Sequence, residues 1–262
     1  MTNFFKKSLG QNFLIDKNII KKIVNLVEIK KKNIIEIGPG DGALTNEIIK
    51  RKPKKLILIE KDFKLVKKLR DQYNNEKFIK IYQSDILKFD IEKKLNSNSI
   101  IFGNLPYNIS SQILVKFLKL RRWPPKFSNM IFMFQKELGE KIVGKYLSKN
   151  YGRLSILTNY RLRIKNKFLV SQNCFFPKPK VTSMVINFYP FKNEFYKIKN
   201  LNNLEKVTNV LFSNKRKMVN KNLKKIISNK QIDKITNLDI NLRPEEIKPE
   251  IYYKITELYE NR

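Results

Sequence analysis

A short segment at Asn104-Leu105-Pro106-Tyr107 carries residue types that can hold the amino group of a planar base. The exocyclic nitrogen of adenine is a poor nucleophile because its lone pair is delocalised into the ring. Two acceptors on its hydrogens, the Asn104 side-chain oxygen and the Leu105 carbonyl, would favour a pyramidal nitrogen with a usable lone pair. The Tyr107 ring can stack on the same base. Because most Asn-x-Pro-Tyr tetrapeptides are ordinary turns, the surroundings of this one must decide its meaning.

Three further groups stand at the ends of predicted strands that precede this segment. The first strand leads into a loop with Gly38 and Gly40, where glycines let a ligand approach the backbone and a helix start offers free N–H groups. The second strand ends at Glu60, placed to accept from ribose hydroxyls, and the third at Asp85, placed to accept from an adenine amino group. Each alone is typical of a bare turn or a helix cap. Three at successive strand ends predict a nucleoside site.

The elements that must position these groups alternate between apolar strands and helices. Strands are predicted at 33–38, 55–60, 78–83, 99–103 and 130–134, and helices at 43–50, 63–73, 110–120 and 136–147. Two closing strands are expected at 161–170 and 182–189. This alternation predicts an α/β fold with a doubly wound, Rossmann-like parallel sheet that binds ligands at the carboxyl ends of its strands.

The pattern changes after Pro190, which predicts two domains at 1–190 and 191–262. Leu201–Ser228 is predicted to be a basic helical stretch with one docked face and one basic face. The remainder is expected to form short helices broken by Pro244 and Pro249. The small C-terminal domain is therefore predicted to be helical and basic.

The charge of the chain indicates a polyanionic partner. Its 262 residues include 55 Lys and Arg against 23 Asp and Glu, for a net charge of +32. Abundant Lys, Asn and Ile also suggest drift towards A+T-rich codons, which inflates the Lys content. The imbalance still favours nucleic acid as the partner.

The absence of several residue types excludes much chemistry. With no His and a single Cys174, the chain has no Ser-His-Asp triad and no expected metal site or disulfide framework. No apolar run reaches the length of a membrane span, and the N-terminus lacks a signal-peptide core. We therefore expect a cytoplasmic protein, and the lack of a heptad seam favours a monomer.

The glycine loop also satisfies the dinucleotide fingerprint Gly38-x-Gly40-x-x-Ala43, so a nicotinamide oxidoreductase is a competing hypothesis. Two features weigh against it. No His is available as an acid–base partner, and a base-binding element at Asn104 suits methyl transfer from a sulfonium better than hydride transfer. A third hypothesis is a non-catalytic RNA-binding or assembly factor.

Across nearly its whole length the chain resembles the ribosomal RNA small-subunit adenine dimethyltransferase family. The motifs that carry the resemblance occur in order at 9–14, 36–40, 42–45, 59–62, 84–86, 103–110, 135–137, 151–155 and 175–181. Erythromycin-resistance methylases of large-subunit rRNA and mitochondrial transcription factors of the B type are similar. The segments 39–45 and 151–155 look more like the small-subunit enzymes.

The resemblance implies a class I methyltransferase that dimethylates N6 of two neighbouring adenosines in a hairpin loop near the 3′ end of small-subunit rRNA. It further implies S-adenosylmethionine as the methyl donor, contacted by Asn12, Leu14, Gly38, Glu60, Asp85 and Asn104. Asn12 and Leu14 depend on the resemblance alone. Tyr107 would stack on one face of the target adenine, with Phe175 a candidate for the other face unless it is a core aromatic beside Phe176.

Contacts with the RNA are expected from basic residues around the mouth of the pocket. The candidates are Lys6, Lys7, Arg121, Arg122, the range 161–167, Lys178, Lys180, Lys215, Arg216, Lys217, Lys221, Lys224 and Lys225. The alternative for each of them is an ordinary solvated Lys or Arg.

Overall fold

The computed structural model describes residues 12–261. In chain order it begins with β1 (Phe13–Leu14), α1 (Lys17–Val24), β2 (Asn33–Ile37), α2 (Ala43–Lys50), β3 (Lys55–Glu60), α3 (Phe63–Gln72), β4 (Ile79–Gln83), β5 (Ser99–Asn104), α4 (Ser110–Leu118), β6 (Phe127–Gln135) and α5 (Lys136–Ile142). It continues with α6 (Arg153–Arg161), β7 (Leu162–Val170), β8 (Phe175–Phe176), β9 (Ser183–Pro190), α7 (Leu201–Phe212), α8 (Asn220–Leu223), α9 (Asn229–Ile232) and α10 (Pro249–Glu260). None of the helices in residues 12–261 has the length and apolarity needed to cross a bilayer.

Within the described residues, seven strands form one sheet in the order β4-β3-β2-β5-β6-β9-β7. The strands from β4 to β6 are parallel, and β9 pairs antiparallel with β6. The sheet is therefore mixed, and the predicted doubly wound fold is confirmed with an antiparallel strand added. The chain leaves β4 at one edge and returns beside β2, so the strand order reverses between β2 and β5. Such a reversal opens a crevice at the carboxyl ends of the strands.

The central strands are apolar because helices cover both of their faces. Ile34 on β2, Leu58 on β3, Phe102 on β5 and Ile131 on β6 are each at most 1% exposed and belong to one core cluster. Burying a side chain of this size contributes about 1.5–3 kcal/mol. This rigid core fixes the strand ends from which the site is built.

The chain divides into two compact units, the first running to Gly139 and including Ile164–Pro190, the second comprising Glu140–Arg163 and the residues from Phe191 onwards. The segment 140–163, which the sequence analysis placed in the first domain, therefore belongs to the helical unit. There Tyr253 on α10 donates a hydrogen bond of 3.1 Å to the carbonyl of Ile156 on α6. This tertiary contact leaves no local signal in the sequence.

The predicted helical stretch 201–228 was too long. Helix α7 ends at Phe212, turns follow, and α8 spans only Asn220–Leu223. Pro249 occupies the first turn of α10 instead of breaking it, because proline lacks only an N–H that has no partner there.

Candidate active site

The carboxyl ends of β2, β3, β4 and β5 surround a cavity of about 240 Å³. Among the residues lining it are almost all those that the sequence analysis nominated: Asn12, Leu14, Gly38, Glu60, Asp85, Asn104, Leu105 and Tyr107. The glycine loop, the two carboxylates and the Asn104 segment thus share one cleft in the first unit. Four separate parts of the sequence meet there because the carboxyl ends of neighbouring parallel strands lie side by side.

The glycine loop needs its glycines for two reasons. Gly38 and Gly40 have φ angles of +64° and +61°, which side chains of L-amino acids rarely adopt. A Cβ atom on Gly40 would also lie 2.7 Å from Cε1 of Phe13, a cavity-lining residue of β1. The loop therefore exposes bare backbone on the cavity wall. Phe13 was missed by the sequence analysis because its proximity depends on tertiary folding.

Glu60 is held in a fixed orientation by backbone donors. Its Oε1 atom accepts hydrogen bonds from the N–H groups of Lys61 (2.8 Å) and Asp62 (2.9 Å), and Oε2 accepts from that of Gly40 (3.3 Å). Burial raises the pKa of Glu60, and these hydrogen bonds oppose the rise. A carboxylate oxygen accepts more than one hydrogen bond, so Oε2 keeps capacity for a ligand hydroxyl at the cavity wall.

Asp85 is more accessible and ionises readily. Its Oδ1 accepts from the Leu87 N–H (2.9 Å) and its Oδ2 from the Lys61 ammonium (3.0 Å). These two hydrogen bonds lower the pKa of Asp85. The Lys61 side chain is 60% exposed and can move, so Oδ2 can exchange this partner for a ligand amino group at little cost.

The floor of the cavity is acidic. Glu36 is 1% exposed, and its Oε2 accepts a hydrogen bond of 2.7 Å from the Thr45 hydroxyl. Burial, with smaller contributions from the neighbouring Asp41 and Glu60, raises the pKa of Glu36 to about 8, and the hydrogen bond from Thr45 opposes the rise. Burial likewise raises the pKa of Asp41. Burial opposes the ionisation of these carboxyl groups, and a positively charged ligand would stabilise their ionised forms, so the site favours such a ligand.

Asn104 has a defined amide orientation. Its Nδ2 donates a hydrogen bond of 3.0 Å to the Asn12 carbonyl, and among the described residues none donates to its Oδ1. When the amide nitrogen donates to the backbone in this way, the amide oxygen is left available as an acceptor. The Leu105 carbonyl belongs to the same turn. The pair has the acceptor chemistry expected for holding an amino group.

Tyr107 is held by a residue from a distant strand. Its hydroxyl shares a hydrogen bond of 2.6 Å with the Ser183 hydroxyl on β9, and Ser183 is fully buried. Burial raises the pKa of Tyr107, so the phenol stays neutral. Because both ends of the side chain are held, the ring has a defined position at the cavity wall. No local motif marks Ser183 in the sequence.

The placement of Phe175 gives no support to its expected stacking role. Its side chain is 3% exposed, packs in the core and does not line the cavity. Its neighbour Phe176 is 50% exposed and pairs in register with Phe13. Successive residues of a strand point to opposite faces, so only one of the two can face outwards. The outward aromatic is Phe176.

The basic candidates divide by environment. Lys6 and Lys7 lie outside the described residues. Arg161 is 8% exposed, and the Arg163 guanidinium lies 3.6 Å from the centroid of the Phe191 ring, so both are packing residues within the second unit. The other named candidates outside 161–167 are exposed: Arg121, Arg122, Lys178, Lys180, Lys215, Arg216, Lys217, Lys221, Lys224 and Lys225.

A seven-stranded sheet of this order, with a glycine turn after β2 and carboxylates at the ends of β3 and β4, defines a class I methyltransferase. Solved structures agree on the fold. A dimethyladenosine transferase from Plasmodium falciparum matches with a TM-score of 0.75 and 24% identity, covering 93% of this chain and 95% of that one. The 23S rRNA methyltransferase ErmE matches with a TM-score of 0.70 and 22% identity, covering 95% and 100%.

Sequence comparisons narrow the class. The model of the family described as ribosomal RNA adenine dimethylase matches residues 2–261. A relative from Pelagibacter ubique, the ribosomal RNA small subunit methyltransferase A, is 42% identical over 257 residues, which cover 98% of this chain and 97% of the relative. The chain belongs to the ribosomal RNA adenine dimethylase family and is an S-adenosylmethionine-dependent methyltransferase. The nicotinamide hypothesis is therefore wrong.

Proposed function

We propose that the protein converts two adjacent adenosines in a 3′-terminal hairpin loop of small-subunit (16S-type) rRNA to N6,N6-dimethyladenosine during ribosome assembly. The observation that carries this proposal is the oriented Asn104 amide in the same cavity as Glu60 and Asp85. The choice of the small subunit is supported by the relative from Pelagibacter ubique, whose name specifies that subunit.

The lining residues fit S-adenosylmethionine. The bare backbone at Gly38 and Gly40 allows close approach of the methionine part, and Glu60 is placed to accept from the ribose hydroxyls. Asp85 is placed to accept from the adenine amino group once the Lys61 ammonium moves away from its Oδ2. The acidic floor suits the positive charge of the ligand. When bound, S-adenosylmethionine supplies an electrophilic methyl group on a sulfonium.

The residues around Asn104 would hold the target base. The adenine leaves its stack at a cost of a few kcal/mol, which is least in a loop. Its ring stacks on Tyr107, and Asn104 Oδ1 with the Leu105 carbonyl accepts from the N6 hydrogens. These contacts orient the N6 lone pair towards the electrophilic carbon. Catalysis then comes from positioning and from electrostatic stabilisation of the transferred charge.

Methyl transfer to N6 needs no strong general base. The N6 nitrogen is cationic immediately after it gains a methyl group, and its proton is then acidic enough to pass to water. A second transfer requires only that the pocket admit a monomethylated nitrogen. Phe176, exposed beside Phe13, is the candidate for a second aromatic contact with the RNA.

The second unit offers a basic groove for the RNA backbone. An open groove of about 580 Å³ is lined by Arg216, Lys217, Met218, Asn220, Lys221, Lys224 and Arg243. Basic side chains around a concave surface favour phosphate binding. We extend the proposal to residues 191–262 as an RNA-binding region, and to a cytoplasmic monomer as the working form.

The decisive experiment uses labelled S-adenosylmethionine with immature small subunits and, separately, with large-subunit rRNA. Nucleoside analysis should give N6,N6-dimethyladenosine in the small-subunit RNA, with the label mapped to two neighbouring adenosines near its 3′ end. Label confined to large-subunit rRNA would favour the erythromycin-resistance type of target. Tight binding without any label would favour an assembly factor that has lost turnover.

A further inference from the structure

A second charged surface lies at the amino ends of the parallel strands, opposite the active site at their carboxyl ends. It is formed by the loops that precede β2, β3 and β4 and by the first residues of β3 and β4, and we refer to it as the amino-edge lysine surface. Its members are Lys30, Lys31, Lys32, Lys52, Lys54, Lys55, Lys77 and Lys80. All eight belong to the first unit.

Backbone hydrogen bonds hold these loops together. The N–H of Lys31 donates to the Lys52 carbonyl (3.0 Å), and that of Lys54 to the Lys32 carbonyl (2.8 Å). The N–H of Leu56 donates to the carbonyl of Phe78 (3.0 Å). The eight lysines therefore come from three separate parts of the sequence but occupy one connected surface.

The ammonium groups of this surface make no ion pairs within the part of the chain that the structure describes, although the Glu28 carboxylate accepts a hydrogen bond of 3.0 Å from the backbone N–H of Lys30. Within residues 12–261, none of the eight ammonium groups makes an ion pair or a hydrogen bond, whereas Lys61 and Lys50 elsewhere in the unit pair with Asp85 and Glu47. Six of the eight residues are exposed and two are half-buried. Like charges at close range repel one another, so the surface favours a polyanion that neutralises several of them together.

The surface is also concave. Lys54, Lys55, Lys77 and Lys80 line an open groove of about 690 Å³ together with Asn33, Phe78, Asn96 and Ser97. Amide and hydroxyl groups between the lysines can donate to phosphate oxygens, and the half-buried Phe78 offers part of an aromatic ring.

We propose that the amino-edge lysine surface binds the phosphate backbone of a second RNA segment, distinct from the nucleotides that enter the active site. Strands β2 and β4 have five residues each. At about 3.3 Å per residue, the amino and carboxyl ends of these strands are therefore about 17 Å apart. The adenosine held in the active site cannot also reach this surface, so the contact would come from RNA farther along the chain. Lysines act as point charges, so the contact adds affinity and orientation without reading sequence.

The inference rests on the family's action on ribosomal RNA, and its test is independent of methyl transfer. The triple variant Lys54→Gln, Lys77→Gln, Lys80→Gln removes three exposed charges from the groove. The matched control, Lys21→Gln, Lys64→Gln, Lys67→Gln, removes three exposed charges from α1 and α3. Binding of protein-free small-subunit rRNA is measured between 50 and 300 mM KCl, with S-adenosylmethionine binding as the check on folding.

For the groove variant we expect about ten- to hundredfold weaker binding at low salt, and a slope of log K against log [KCl] that is shallower by about two to three, since each lost phosphate contact removes about 0.7–0.9. The corresponding Lys→Arg variant should bind normally because it keeps the charge. Equal slopes for the groove variant and the control would overturn the proposal. Photocrosslinks from position 54 that map to the methylated loop would also overturn it.

Failure of this proposal is distinguishable from failure of the proposed function. If wild-type protein forms no dimethyladenosine in immature small subunits, the proposed target is wrong, while the comparison of slopes still decides what the surface does. If dimethyladenosine forms and the slopes are equal, the target stands and the surface has no role in RNA binding.

Discussion

Replacing Asn104 with alanine should separate catalysis from cofactor binding. The variant loses the Oδ1 acceptor for the target amino group, and it loses the hydrogen bond of 3.0 Å to the Asn12 carbonyl. Loss of one oriented electrostatic partner of a reacting group lowers kcat by about 10²–10³, which corresponds to about 2.7–4 kcal/mol. Loss of the hydrogen bond to Asn12 should lower the free energy of unfolding by about 0.5–1.5 kcal/mol.

The assay is steady-state transfer of labelled methyl groups to immature small subunits, with thermal unfolding measured in parallel. We expect a large fall in kcat and a change of only a few fold in the Kd for S-adenosylmethionine, because Glu60 and Asp85 remain in place. The control variant is Asn108→Ala, which removes an exposed amide from the same turn and should keep near-normal kcat.

Two results would refute the reasoning about Asn104. A fall in kcat of less than about tenfold would mean that the amide does not orient the reacting nitrogen, given the magnitude typical of such partners. An equal fall in the Asn108→Ala variant would mean that the whole turn, and not the amide of Asn104, determines the rate.

Three further variants test the cavity. Tyr107→Phe keeps the ring but loses the hydrogen bond to Ser183, so kcat/KM should fall by only about fivefold, whereas Tyr107→Ala should lower it by up to about 150-fold through lost stacking; similar losses in both would argue against stacking. Glu60→Gln should raise the calorimetric Kd for S-adenosylmethionine about tenfold or more. An amide has one acceptor oxygen where the carboxylate has two, so it cannot accept from both the backbone N–H groups, such as that of Gly40, and the ribose hydroxyls. An unchanged Kd would exclude the ribose role. The pKa of Glu36 is raised to about 8, so the folded state binds this proton more tightly than the unfolded chain, and the stabilising contribution is complete below about pH 4.5 and is lost as pH rises through 8. Glu36→Gln, which can still accept from Thr45, should therefore raise the free energy of unfolding at pH 8.5 relative to wild type and flatten its pH dependence in urea titrations; parallel pH profiles for both proteins would contradict this.

Most of the sheet was predictable because its signals are local. Apolar runs bounded by glycine or polar residues located β2, β3 and β5, and the bounds predicted for α2 and β3 agree with the structure. Helix α1 was missed, although Asp16 caps it by accepting from the N–H groups of Asn18 and Ile19. Its sequence is strongly amphipathic, with Ile20, Ile23 and Val24 buried on one face, so a local signal for it was present. Helix α6 was missed because nearly every face of it is buried, so its sequence has little amphipathic periodicity.

The sequence by itself determined the alternation of strands and helices from β2 to β6, the residue types at each strand end and the family to which the chain belongs. Chemical identity and spacing along the chain are local properties, and a parallel α/β pattern brings strand ends to one edge wherever the crossovers lie. The tertiary structure alone decided that Phe175 faces the core, that Ser183 holds Tyr107, and that Asn12 orients the amide of Asn104. Each of these depends on which distant strands are neighbours and on strand register, because a shift of one residue would reverse every side chain.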